Sequence, residues 1–134
     1  MRTILILVLS LHVLAAVFWA GASFAIARLG GGAAARLRAP MLGAAIATLL
    51  SGGYLWRAVH GAAFGRPETV LAVGIACALT AFIVQVGDGA RIRWQLARGT
   101  LPDAAAHTHA APLARLAAGL LAVAAVCMAA ARYA

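Results

Sequence analysis

The stretch TILILVLSLHVLAAVFWAGASFAIA, from Thr3 to Ala27, decides the fold. It contains no Asp, Glu, Lys or Arg, and it is longer than the roughly 20 apolar residues that carry an α-helix across the hydrocarbon core of a bilayer. Three further apolar runs follow at 40–59, 69–87 and 112–132, each near the same length. The segments lack the alternating period of barrel strands and the polar residues that would fill a barrel lumen, so in lipid their backbone groups can be satisfied only within helices. The expected fold class is therefore all-α, an integral membrane four-helix transmembrane bundle, with residues 1–134 forming a single transmembrane domain.

Composition points the same way. Of 134 residues, 65% are hydrophobic and 10% charged, and the mean hydropathy is +0.97. A soluble chain this short could not hide so much apolar surface in one core, so the lipid bilayer is the partner it cannot lack. Met1-Arg2 and an apolar run closing on Ala22-Ser23-Phe24-Ala25 share the outline of a secretion signal. The apolar part exceeds the roughly 7–15 residues of such signals and includes His12, which favours a retained span.

A net charge of +8 would suit nucleic acid if it were gathered on one face among aromatics, but here it is scattered in short clusters between the apolar runs. No nucleic acid is expected as a partner. Cys77 and Cys127 both fall inside apolar runs, without zinc spacing or the pattern of a disulfide framework, and read as small buried hydrophobes.

Arg placement gives an orientation, because short Arg-rich loops stay in the cytoplasm. Segments 28–39 and 88–111, with the helix edge beside them, carry Arg28, Arg36, Arg38, Arg91, Arg93, Arg98 and Arg115, whereas the opposite side carries Arg2, Arg57, Arg66 and Arg132. This predicts periplasmic termini and cytoplasmic loops at 28–39 and 88–111 in a bacterial inner membrane. Tyr54, Trp56 and Tyr133 then belong to the outer interface and Trp94 to the inner one. Small residues at four-residue spacing, such as Ala16 and Ala20, Gly21 and Ala25, Gly43 and Ala47, Ala72 and Ala76, and Ala114, Ala118 and Ala122, predict the faces on which helices approach.

His12 is the most informative residue, since an ionisable group at membrane depth is costly and usually serves a purpose. Trp19 lies seven residues on, two turns along the same face, together with Ala15, Ala16, Ala22 and Ser23. Two readings stand side by side: a neutral imidazole hydrogen-bonded to a neighbouring helix, or a functional group flanked by Trp19, either a haem or copper ligand or a proton-handling residue. His60 is the other histidine expected on the same side of the membrane. It lies beyond Trp56, roughly 12 Å shallower than His12 at about 1.5 Å per residue, so one iron does not easily join them, and His60 stays a metal candidate through a shifted helix boundary or a ligand from a partner subunit. His107-Thr108-His109 alternates imidazoles in what reads as an Ala-rich loop and is a candidate loose metal site, with a solvated loop as the plainer alternative. Asp88 and Gln85 sit at the inner end of the third span beside Arg91 and Arg93, a pattern that suggests a local ion pair fixing the helix end. No phosphate-binding Gly-rich loop, nucleophile elbow or carboxylate pair is present, and the chain reads as an accessory rather than an enzyme on its own.

The segment Ser10-Leu11-His12-Val13-Leu14-Ala15-Ala16-Val17-Phe18-Trp19-Ala20-Gly21 resembles the first helix of the bacterial copper-resistance protein D family, which carries a His, small residues, then Trp and Gly. The small haem-associated protoporphyrinogen oxidases have a similar helix. The resemblance covers mainly the first 30 residues, with weaker echoes at Gly53-Tyr54-Leu55-Trp56 and Arg132-Tyr133. It implies a four-helix membrane domain in which His12 is a ligand for copper or haem b, acting with other membrane subunits or as a homo-oligomer. Met41 and Met128 are isolated, and neither a second deep histidine nor an intramembrane Lys accompanies His12. Two other functions stay open: a non-catalytic anchor or accessory subunit, and a haem b electron carrier linked to quinone.

Overall fold

The computed structural model describes residues 2–29, 31–60, 65–99 and 103–134, the side chains of 31–35 and 103–111 excepted. It is all-α: α1 (Arg2–Leu29), α2 (Gly31–Val59), α3 (Arg66–Ala97) and α4 (Asp103–Ala130). All four are long and apolar enough to span a membrane, over Arg2–Leu29, Arg36–Val59, Arg66–Ala97 and Pro112–Ala130. The chain is a multi-pass membrane protein.

The helices run further than the apolar runs do. Segment 28–39, expected as a loop, is largely the first turns of α2, and most of segment 88–111 belongs to the end of α3 and the start of α4. Ala-rich sequence explains the extension: Ala33-Ala34-Ala35 and Ala104-Ala105-Ala106 have the best intrinsic helix propensity, and hydropathy does not register it. Pro40 and Pro112 consequently lie inside helices rather than at their starts. Each removes one backbone N–H, which is tolerated where the freed carbonyl can reach water or polar headgroups near a helix end.

Local chemistry fixes both ends of α3. The Glu68 carboxylate accepts from the Gly65 backbone N–H at 2.8 Å and Pro67 occupies the first turn, which suits a helix start. At the other end Gly99 adopts φ 64, the left-handed conformation that stops a helix.

The helices form two antiparallel hairpins, α1 with α2 and α3 with α4, joined mainly where α1 packs on α4. Consecutive helices α2 and α3 barely approach each other, so a seam runs between them. Trp19, 1% exposed, fills the middle of the bundle and meets the Phe82 ring edge-on at 6.4 Å. Around it lie Ala22, Ile26, Met41, Ala45, Ala78, Ala81, Ala117, Leu121 and Ala124. Large apolar side chains such as Leu7, Leu14, Leu50, Ile83 and Val126 point outward, as they must in a solvent of acyl chains.

Not every expected small-residue face is buried. The α1 face is, through Ala15, Trp19, Ala22 and Ser23. On α2 the buried line is Met41, Ala45 and Thr48, with Gly43 exposed; on α3 it is Gly74, Ala78 and Ala81, with Ala76 exposed. In α4, Ala118 is buried and Ala122 is not. Small residues surround every helix of this chain, so their spacing alone does not choose a face. α3 and α4 pack tightly at Gly74, where an added Cβ would lie 3.0 Å from Cys127 Cβ and 3.3 Å from the Ala124 carbonyl oxygen. Cys77 and Cys127 are free and only partly buried, shallower than the sequence reading placed them.

Candidate functional site

His12 faces α2, with 9% of its surface exposed. Its Nδ1 lies 3.0 Å from the Thr48 carbonyl oxygen and 3.0 Å from Ser51 Oγ. A carbonyl can only accept, so Nδ1 carries the proton, and in the neutral imidazole Nε2 is left with a free lone pair. The Ser51 hydroxyl in turn donates to the Ala47 carbonyl at 2.6 Å. Gly52 makes room for the ring: a Cβ there would come within 3.0 Å of His12 Cε1. The sequence singled out His12 but not Thr48, Ser51 or Gly52, whose roles depend on which face α2 turns to α1.

Trp19 shares that face of α1 but not the same surroundings. Its Nε1 donates to Gln85 Oε1 at 2.7 Å, Gln85 Nε2 donates to Ser23 Oγ at 2.8 Å, and the Ser23 hydroxyl donates to the Trp19 carbonyl at 2.7 Å. This closed circuit fixes the Gln85 amide in one orientation. Met41 Sδ adds a weak acceptor 3.6 Å from Ser23 Oγ. Below it, Arg38 and Asp88 meet through Nη2 and Oδ2 at 3.5 Å. The sequence reading had Asp88 bound to arginines of its own helix end; its contact is instead with α2, because Gly89 lets the Arg38 side chain lie against α3. Ser23, Ile26, Arg38, Met41, Gln85 and Asp88 line a small cavity, with Val84, Leu113 and Ala114 completing its wall.

His60 follows the last turn of α2, stacked on Trp56 with ring centroids 5.3 Å apart. Its Nδ1 is buried with no hydrogen-bond partner among the described residues. Since Gly52 marks the level of His12, and His60 lies eight residues further along the same chain direction, the two imidazoles differ in depth by about 12 Å. The backbone at His107 and His109 is helical, within α4, whereas the sequence suggested a loop; their side chains lie outside the described residues.

Among the described residues no three His, Cys, Asp or Glu side chains converge to hold a metal ion. A locked Nδ1–H donating to a backbone carbonyl is the usual support of a ligating histidine, because it fixes tautomer and ring orientation. The residues therefore fit one ligand of a copper or haem centre, His12 Nε2, and not a complete site. No protein-family model, curated protein or solved structure matches the chain.

Proposed function

We propose that this chain is an accessory subunit of a bacterial inner-membrane complex, akin to the copper-resistance D group, which contributes a single imidazole ligand instead of a whole active centre. The observation that carries this reading is the His12 contact: Nδ1 lies 3.0 Å from the Thr48 carbonyl oxygen, which keeps the proton on Nδ1 and leaves the Nε2 lone pair without a hydrogen-bond partner among the described residues. Copper or haem b bound there would take its remaining ligands from another chain, and the group would supply the redox chemistry. His12, Ser51 and the Thr48 carbonyl hold the imidazole in place. The Arg balance supports periplasmic termini.

The rival reading, a purely structural subunit, is favoured by a different observation. Both His12 Nδ1 and Trp19 Nε1 are engaged in links between helices, which is reason enough for their presence. An absorption spectrum and metal analysis of protein purified in mild detergent, with its co-purifying partners, separate the two. A Soret band or stoichiometric copper that disappears in His12→Leu supports the ligand reading. Neither in wild type, or either one retained in His12→Leu, overturns it and leaves the structural role.

A further inference from the structure

The pair Arg38–Asp88 stands at the mouth of the small cavity and bridges α2 and α3, two consecutive helices that otherwise barely approach each other. Asp88 immediately follows the apolar run 69–87 and Arg38 immediately precedes the run that begins near Pro40, so both lie at the edge of the hydrocarbon, at headgroup level. The contact is loose. At 3.5 Å it is longer than the roughly 2.7–2.9 Å of a well-formed charge-assisted bond, and it uses one nitrogen of a guanidinium that has five N–H donors. Both side chains are partly accessible, 24% for Arg38 and 13% for Asp88. Behind them the cavity wall turns apolar, through Ile26, Met41, Val84 and Leu113.

A cation and an anion held side by side but loosely, beside an apolar wall and at headgroup level, complement a zwitterion with an attached hydrocarbon chain. We propose that this mouth binds a phospholipid whose headgroup carries a primary ammonium, with Arg38 holding the phosphate and Asp88 accepting from the ammonium, while an acyl chain lies along the α2–α3 seam. Exposed Arg36, Arg91 and Arg115 near the same end draw phosphate toward the mouth, and Asp88 supplies what a purely anionic headgroup would find repulsive. The inference rests on the four-span placement in lipid and not on His12.

Native mass spectrometry of the protein in mild detergent, with equal amounts of phosphatidylethanolamine, phosphatidylcholine and phosphatidylglycerol of identical acyl chains, tests it. Wild type should retain phosphatidylethanolamine about tenfold over phosphatidylcholine, the lower end for one charge-assisted hydrogen bond. Asp88→Asn should abolish that preference, Arg38→Gln should reduce retention of both lipids, and Arg93→Gln, at an exposed position that does not line the cavity, should change neither. Gly89→Ala keeps both charges but puts a Cβ 3.3 Å from Arg38 Nη1, and should lower phosphatidylethanolamine retention even if the charge variants fail to insert. Equal retention of all three lipids overturns the proposal. So does a preference for phosphatidylglycerol that Asp88→Asn strengthens, which would make the mouth a plain anion site.

Discussion

Trp19 Nε1 donates to Gln85 Oε1 at 2.7 Å and thereby ties α1 to α3, two helices whose Cα atoms nowhere come within 8 Å of each other among the described residues. The indole reaches across the bundle where the backbones do not. Because the Gln85 amide is also anchored on Ser23, the bond is held in place on both sides. A double-mutant cycle with Trp19→Phe and Gln85→Leu should give a coupling energy between the membrane-protein average of about 0.6 kcal/mol and the upper value of about 1.7 kcal/mol. Unfolding by denaturing detergent measures it. A coupling indistinguishable from zero would mean that the indole contributes by packing alone.

Gly74 and Gly21 offer a matched pair for packing. Gly74→Ala places a methyl 3.0 Å from Cys127 Cβ and 3.3 Å from a backbone oxygen that cannot swing away, whereas Gly21→Ala meets nothing within 4 Å. The first should destabilise by about 1–3 kcal/mol, as overpacking does, and the second should stay within about 0.5 kcal/mol of wild type. The same detergent titration compares them. Equal effects would show that α3 and α4 part at Gly74 without strain.

The neighbouring glycines of α2 test how firmly the imidazole is seated. In Gly52→Ala the new methyl lies 3.0 Å from His12 Cε1, so the ring must tilt and its bonds to Thr48 and Ser51 must lengthen, while Gly53→Ala points into open space. Gly52→Ala should therefore cost about 1 kcal/mol, the worth of one typical hydrogen bond, and Gly53→Ala close to nothing. For a protein that carries a centre on His12, Gly52→Ala should also shift its absorption spectrum, which Gly53→Ala should leave alone. Stability curves and spectra of the two variants side by side decide the matter.

Orientation has its own test. Reporter fusions placed near Arg36 should be active only on the cytoplasmic side, and changing Arg28, Arg36 and Arg38 together to Glu should disturb insertion, because these three supply much of the positive bias. Conservative changes at Ala33, Ala34 or Ala35 should leave insertion unaltered. A reporter at Arg36 that works only in the periplasm would invert the assignment.

What the sequence determined by itself is what the bilayer imposes on any chain: four apolar runs of spanning length can only be helices, and the depth and face of His12 and Trp19 follow from counting along the first of them. Its failures have physical causes too. Hydropathy marks the hydrocarbon slab and not the helix, so the Ala-rich turns preceding Pro40 and Pro112 read as loops although they continue α2 and α4. Only the tertiary structure decided which faces α2, α3 and α4 turn inward, because on helices ringed with Ala and Gly the lipid-facing and core-facing sides look alike. That choice alone brought Thr48 and Ser51 to His12, Gln85 to Trp19, and Arg38 to Asp88. Each of these pairs joins residues at least 36 positions apart, and no local pattern encodes the rotation of one helix against another.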